Sequence, residues 1–323
     1  MTADRSILTL ALGNPIFAAF ATSLVRSYCL WNDARSVPVI IVTDQPDRLP
    51  ADVKRIAELV TIAPGEYGTG FSPKLHLDRF LQTDRTLFID ADSLCVGSVD
   101  LLFERFAGRP VSVIGQSQSH GEWFGDIPTT CRNTGVDAIP VFVGGVYYLE
   151  RGPRTSLVYD RARALEARYD ALGLVRLRQQ PNEEPLIAIA MAQHGLDGIP
   201  DDGTLKAEPV NFPCGLDVDV FRGKAVLWNT PGHPRHEPRC RLTKAEPRIV
   251  HFCSSHADRR PYTTEAARLE RVCGRGWPRW AATAHALASR EIPEATRDFV
   301  KDLLRPAYRA VFGYRPIAAS NRT

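Results

Sequence analysis

A chain of 323 residues, 44% apolar and 24% charged, has the composition of an ordinary globular enzyme and can bury one large α/β core with or without an appendage. Its net charge of +3 is too small to make nucleic acid an expected partner. Seven cysteines (Cys29, Cys95, Cys131, Cys214, Cys240, Cys253 and Cys273), odd in number and without a C-x-x-C pair, point to free thiols in a reducing compartment and away from a disulfide framework or zinc site. There is no basic-then-apolar leader and no uncharged apolar run of the ~18 residues a membrane span needs. The expectation is a soluble cytoplasmic protein, anchored peripherally to the inner face of the membrane if at all.

The first hundred residues alternate strand and helix. Residues 6–12 read as a buried strand, and Asn14-Pro15 then offers an N-cap and a first-turn proline. Phe17, Phe20, Ala21, Leu24, Val25 and Tyr28 follow at i, i+3, i+4 spacing, the pattern of a helix packed on a sheet. Residues 37–42 form a second apolar strand ending at Thr43-Asp44, and residues 50–59 read as helical. Ser72-Pro73 opens another helix through Leu81, leading to a strand that ends at Asp90. This rhythm predicts a mostly parallel sheet covered on both faces, with right-handed crossovers. Residues 111–114 and 140–149 read as strands. The segment between them (115–139) is longer than structureless loops usually are and reads as a lid or acceptor-binding segment. Helices are expected over 153–172 and 182–194, the second capped by Asn182 and closed by Gly195. Residues 225–229 and 248–252 are late strands, and from Tyr262 the pattern is helical and Arg-rich, a C-terminal extension.

The chemistry concentrates in Thr86-Leu87-Phe88-Ile89-Asp90-Ala91-Asp92-Ser93-Leu94. A short β-prone run stops at two carboxylates spaced i, i+2, which on extended backbone point the same way. Just past a buried strand they stand at the carboxyl edge of the sheet, where open α/β folds bind ligands. Two hard oxygen donors there suit Mg²⁺ or Mn²⁺, and hence a phosphate or diphosphate. The plain alternative is a solvated strand-end Asp beside a turn Asp. Lys74 stands out separately: six lysines share this chain with 34 arginines, and a Lys in a first helical turn opposes the helix dipole. Its placement asks for an anion, either a phosphate or a nearby carboxylate; a solvated surface Lys is the alternative.

Several motifs in order resemble glycosyltransferase family 8, which includes glycogenin and the bacterial lipopolysaccharide galactosyltransferases. They are Ser72-Pro73-Lys74-Leu75-His76, the D-x-D strand, Val99-Asp100-Leu101-Leu102-Phe103, Phe142-Val143-Gly144-Gly145-Val146, the acidic pair Glu183-Glu184, and Arg248-Ile249-Val250-His251-Phe252. The resemblance covers roughly residues 6–260. It implies a GT-A nucleotide-diphospho-sugar transferase fold: α/β, with a mixed, mostly parallel central sheet flanked by helices. By the same resemblance residues 1–260 form the catalytic domain, with a nucleotide-binding half (about 1–105) and an acceptor half (about 106–260), ahead of a helical extension over 261–323. The implied activity is retaining transfer of a hexose from a nucleotide sugar, a UDP-hexose above all, to a glycan, lipid or protein acceptor, dependent on Mn²⁺ or Mg²⁺.

The resemblance also assigns residues. His251, otherwise an ordinary core histidine, becomes the third metal ligand beside Asp90 and Asp92. Leu10, Ala11, Leu12, Gly13 and Asp44 fall where the family seats the nucleotide, with Lys74 and Ala91 beside the diphosphate; Asp44 as a plain turn residue is the alternative. Glu183 and Glu184 fall beside the anomeric carbon, as nucleophile, oxocarbenium stabiliser or orienting group. Acids in a first helical turn after Asn182 are also simply good capping chemistry. Two departures stand out: Val143 replaces the family's mid-chain Asn, and Cys253-Ser254-Ser255-His256 then Arg259-Arg260 replace its late Gly and Lys. An Arg, with Arg259 the candidate, would then meet the phosphates as a planar fork instead of a point charge.

Two other readings compete. A haloacid-dehalogenase-type phosphatase would use D-x-D with Asp201-Asp202, but the cation it needs between them is missing, since no Lys occurs from 93 to 200. A non-catalytic sugar-nucleotide-binding protein would keep the fold without turnover. In the tail, Lys301, Arg305, Arg309, Arg315 and Arg322 against Asp302 give +4, interleaved with Tyr308, Phe312 and Tyr314. That mixture suits an anionic membrane surface; a helix packed on the body or a frayed terminus is the alternative.

Overall fold

The computed structural model describes residues 3–313. The chain starts with β1 (Arg5–Ala11), α1 (Ile16–Tyr28), β2 (Val39–Thr43), α2 (Ala51–Ile56) and β3 (Glu58–Thr61). A 3₁₀ segment over Ser72–Phe80, broken at His76, leads into β4 (Arg85–Ile89). β1 lies between β2 and β4, with β3 outside β2, all parallel. The strands are apolar throughout because neighbouring residues feed two different cores. Ile7, Ile41 and Leu87 pack on the face covered by α1, whereas Leu8, Ile40 and Phe88 pack on the opposite face. As the sequence predicts, Asn14 opens α1, its side chain accepting from the Ile16 amide at 3.1 Å.

The chain continues through β5 (Ser93–Cys95), α3 (Asp100–Phe106), β6 (Val111–Gln118), α4 (Ile127–Thr134), β7 (Ile139–Glu150), α5 (Pro153–Glu166) and α6 (Glu183–Gln193). β7 runs antiparallel to both β4 and β6 and completes a six-stranded mixed sheet, β3-β2-β1-β4-β7-β6. Five short strands follow: β8 (Lys206–Ala207), β9 (Gly215–Asp219), β10 (Lys224–Trp228), β11 (Lys244–Ala245) and β12 (Ile249–His251). β9, β10 and β11 make one small sheet; β5, β12 and β8 make another. The chain then becomes helical in α7 (Tyr262–Leu269), α8 (Arg279–Ala286) and α9 (Ile292–Phe312), joined by π-helical turns. α7 is seated on α1 through Tyr262 and Phe20, whose rings meet edge-on at 5.5 Å. Tyr314, Arg315 and Arg322 of the basic, aromatic tail lie outside the described residues.

Three expectations are corrected. The helix expected over 50–59 stops at Ile56, and Glu58–Thr61 instead adds an edge strand to β2. The segment 115–139 is not one long structureless loop: β6 extends to Gln118 and α4 takes 127–134, leaving residues 119–126 as a shorter loop between them. Asp126 caps α4 by accepting from the Thr129 amide, and Gly135 closes it in the left-handed conformation. The helix over 153–172 breaks after Glu166 and resumes only as a 3₁₀ turn over Asp170–Leu172.

Candidate functional site

β4 ends at Ile89, and the chain turns at once: the Asp90 amide donates to Gly145 O at 2.9 Å, and the Ser93 amide to Asp90 O at 3.1 Å. The tight turn throws Ser93–Cys95 out of the main sheet to pair with β12, in a register that sets His251 opposite Ser93. The Phe252 amide donates to Asp92 O at 2.9 Å and locks that register. An imidazole 159 residues downstream of Asp92 is thereby carried to the D-x-D turn. His251 Nε2 stands 3.2 Å from an Asp92 carboxylate oxygen and 3.6 Å from one of Asp90. Ligand atoms of all three lie within 4.8 Å of one another. Two half-buried carboxylates and one buried imidazole are a donor set that fits a divalent ion.

The Gly-Gly of β7 is required by what packs on it. A Cβ on Gly145 would stand 2.8 Å from His251 Cγ, and one on Gly144 would stand 2.6 Å from Glu184 Oε1 and 2.8 Å from the Tyr147 hydroxyl. The two glycines therefore hold the two halves of the site, imidazole and carboxylate, against the sheet. Behind the ring, His251 Nδ1 is buried without a hydrogen-bond partner among the described residues, 3.9 Å from Glu208 Oε1. Glu208 is itself paired with the buried Lys206, whose ammonium also donates to Val143 O at 2.9 Å. Burial pushes the Lys206 ammonium down to about 8.

Lys74 does find its anions. Its ammonium lies 2.6 Å from Asp90 Oδ2 and 3.1 Å from Glu183 Oε1, so the partners are carboxylates. Burial works against its charge, but the carboxylates of Asp90 and Glu183 outweigh burial and raise its pKa. Glu183 is 1% exposed and also accepts from the Tyr147 hydroxyl at 3.3 Å; its second oxygen is buried and unpaired among the described residues. Burial raises its pKa against the pull of Lys74. Glu184 is half-buried and accepts from the Gly144 amide at 2.7 Å; burial, then the neighbouring Glu183 charge, push its carboxyl up to about 8. Asn182 caps α6 through the Glu184 amide at 2.8 Å, so the backbone is capped by Asn182 and both Glu side chains are released to the site.

One cavity unites these groups. It is lined by Leu10, Leu12, Lys74, Asp90, Ala91 and Asp92 on one side and by Val143, Asn182, Glu183, Glu184 and His251 on the other. Of the remaining sequence candidates, Ala11 is buried in the core and Gly13 lies just beyond the cavity wall. Asp44 accepts from the Gly13 amide through both oxygens at 3.1 Å, tying the β1 and β2 loops together. Arg259 is exposed and outside the lining, while its neighbour Arg260 pairs with Glu291 at 3.0 Å. Asp202 pairs with Arg105 at 2.9 Å, away from this cavity.

Sequence reasoning missed two cations. Lys206 is one of six lysines, and its scarcity beside apolar Leu205 and Ala207 was the available signal. Arg178 lines the cavity from the tip of a two-residue turn, where Leu177 and Gln180 exchange backbone hydrogen bonds at 3.0 Å. Arg178 and Gln179 both hold left-handed backbone, φ 52° and 66°, where such turns ordinarily use Asn-Gly. Strain of this kind persists where surrounding structure over-determines it, often at ligand sites.

No family model and no curated protein matches this sequence. Solved structures do resemble it. The galactosyltransferase LgtC, in complex with donor and acceptor sugar analogues, superposes with a TM-score of 0.52 at 12% identity, over 84% of this chain and 95% of that one. An active-site mutant of LgtC gives 0.51 at 12% identity, with the same coverage. The bifunctional glycosyltransferase WbbM in its apo form gives 0.50 at 10% identity, over 83% of this chain and 50% of that one. The likeness establishes the fold, the GT-A arrangement expected from the sequence motifs.

Proposed function

We propose that this chain is a metal-dependent glycosyltransferase of the family 8 kind, moving a hexose from a nucleotide sugar, best a UDP-hexose, with retention of configuration. The observation that carries the reading is the meeting of Asp90, Asp92 and His251 within 4.8 Å in a cavity whose other wall is Glu183 and Glu184. Asp90, Asp92 and His251 would hold Mn²⁺ or Mg²⁺, which when bound neutralises charge on a leaving diphosphate.

The chain's own groups then divide the work. Leu10, Leu12 and the Gly13–Asp44 tie border the nucleoside, and Ala91 leaves room beside the diphosphate. Arg178 takes the phosphate-binding role assigned from sequence to Arg259, because Arg178 lines the cavity and Arg259 does not. Glu184, half-buried on the cavity wall, faces the anomeric carbon; Glu183, buried against Lys74 and Tyr147, positions Lys74. A carboxyl pushed up to about 8 is protonated near neutrality, so Glu184 would meet the sugar as a hydrogen-bond donor until its proton is drawn off. A second cavity shares Val143 with the first and is lined by Gln116, Gln118, Trp123, Asn211 and Glu208. It offers an aromatic face and convergent polar groups to a sugar acceptor. Residues 1–260 would be the catalytic domain, with its nucleotide half to about 105, and 261–323 the extension. The setting we infer is reducing and cytoplasmic, on the odd cysteine count without a C-x-x-C pair.

A panel of UDP-sugars assayed for Mn²⁺-dependent UDP release tests the reading. At least one donor should be turned over, and Asp92→Asn should abolish release without unfolding the protein. Absence of both turnover and binding for every nucleotide sugar, with Mn²⁺ or Mg²⁺ present, would overturn it.

A further inference from the structure

Of the large apolar side chains exposed among the described residues, eleven of sixteen fall between Trp277 and Phe312. Most belong to α9, 21 residues long and without a single buried residue. At helical spacing Ile292, Phe299, Val300, Leu303, Leu304 and Val311 fall within roughly 140° of arc. Phe299, Leu303 and Val311 are 68%, 67% and 73% exposed. Leaving such a face in water is costly, and soluble proteins rarely carry one without an occupant. The polar side of α9 is the side tied to the body. Glu294 accepts from the Arg260 amide at 2.8 Å and the Thr263 hydroxyl at 2.9 Å, and Asp298 lies 3.9 Å from the Arg260 guanidinium. The apolar face is thus turned outward by its own anchoring.

Charge says what covers it. The acids of α9 are engaged on the body or, for Asp302, by Arg305 at 2.7 Å. After Asp302 the sequence carries four arginines (Arg305, Arg309, Arg315 and Arg322) and no acid through Thr323. No helix among the described residues is long and apolar enough to cross a membrane. Trp280, 76% exposed on α8, and Phe312, 72% exposed, add aromatic rings of the kind that settle at a lipid headgroup boundary. We infer that α9 docks in the plane of an anionic lipid bilayer, apolar face down and basic end among the headgroups, holding the chain at a membrane surface. This inference is independent of the catalytic reading.

The full-length protein is tested by sedimentation with vesicles of phosphatidylglycerol and phosphatidylcholine, against pure phosphatidylcholine vesicles. Binding should need the anionic lipid and fall several-fold as salt shrinks the Debye length from about 10 Å at 0.1 M to about 3 Å at 1 M. Phe299→Asp with Leu303→Asp should lower partitioning by at least about tenfold, since two apolar anchors are replaced by charges that an anionic surface repels. Because both residues are exposed, melting temperature and UDP release from soluble donor should stay unchanged. Equal partitioning of variant and wild type would overturn the inference. So would a wild-type chain that ignores the vesicles, including one that is a dimer by light scattering and is split by the same double substitution.

Discussion

Gly145→Ala probes the metal centre without altering a ligand. A Cβ at Gly145 would lie 2.8 Å from His251 Cγ and 2.9 Å from Cε1, whereas carbon atoms rest at about 3.5–4.0 Å. The overlap is thus on the order of 1 Å at several ring atoms at once. Gly145 does not hold a positive φ, so the methyl adds no backbone strain and the whole effect falls on the ring. His251 is 3% exposed, and it yields only by turning away from Asp90 and Asp92. Overpacking of this kind costs about 1–3 kcal/mol, which for a chain of this size, at about 2.1 cal/mol/K of unfolding entropy per residue, lowers Tm by roughly 1.5 °C per kcal/mol. Loss of a ligand should weaken Mn²⁺ by more than the ~10–100-fold seen for outer hydrogen-bond partners. Calorimetric titration of the free protein with MnCl₂, beside a thermal melt, reads both quantities. Gly144→Ala is the matched control: its Cβ meets Glu184 Oε1 and the Tyr147 hydroxyl, so it should depress turnover and spare Mn²⁺ affinity. A folded Gly145→Ala protein with wild-type Mn²⁺ affinity would remove His251 from the ligand set.

Lys74→Met leaves Asp90 and Glu183 facing each other without their shared ammonium, and should cost about 3–5 kcal/mol, as breaking a buried pair does. MnCl₂ should restore part of the lost Tm, and identical melts for mutant and wild type without metal would refute the pairing. Glu184→Gln tests the displaced carboxyl. Its folded value, about 8, exceeds the ordinary 4.5, so its contribution is complete below about 4.5 and is lost as pH rises toward 8. The variant should therefore gain Tm over wild type at pH 8 but not at pH 5, and parallel curves would move the ionisation elsewhere. Arg178→Gly relieves left-handed backbone that costs a non-glycine residue about 1–2 kcal/mol, so Tm should hold or rise slightly. Donor KM should meanwhile rise about tenfold, the value of one lost charged contact, and an unchanged KM would return Arg178 to solvent.

What the sequence disclosed followed from how local each feature is. Asp90 and Asp92 were readable because one nine-residue stretch holds both the apolar strand and its acidic end. The capping of α6 was readable because Asn182, Glu183 and Glu184 are neighbours. His251 entered only through a motif resemblance, since its position depends on the antiparallel pairing of β5 with β12, a contact no local pattern encodes. Lys206 and Glu208 escaped for the same reason: β8 is two residues long and exists only because β12 lies beside it. The helix α4 was missed although its caps, Asp126 and Gly135, were in plain view, because eight residues give too little periodicity to read. Arg178 could not be found at all, since Arg-Gln is the wrong chemistry for the turn it occupies. Where local rules fail in this way a functional demand is the usual reason.

The charges in the cavity argue that a metal ion and a diphosphate bind cooperatively. Asp90, Asp92, Glu183 and Glu184 face Lys74 and Arg178 there. With the Glu184 carboxyl pushed up to about 8 it carries a proton near neutrality, leaving three negative groups against two positive. The Lys74 charge is already committed to Asp90 and Glu183. A nucleoside diphosphate entering this field meets like charge, at about 4 kcal/mol per unit pair 4 Å apart in an effective dielectric of 20. Two added positive charges among Asp90, Asp92 and His251 reverse the balance. UDP should accordingly bind about 100-fold tighter with Mn²⁺ than in EDTA, a difference of about 2.7 kcal/mol, and Asp92→Asn should erase most of it. Reciprocity makes the test strict: UDP must tighten Mn²⁺ by the same factor that Mn²⁺ tightens UDP. Titrating each ligand in the presence and absence of the other measures both factors. Equal UDP affinity in EDTA and Mn²⁺ would show that this cluster of acids serves some purpose other than seating a diphosphate.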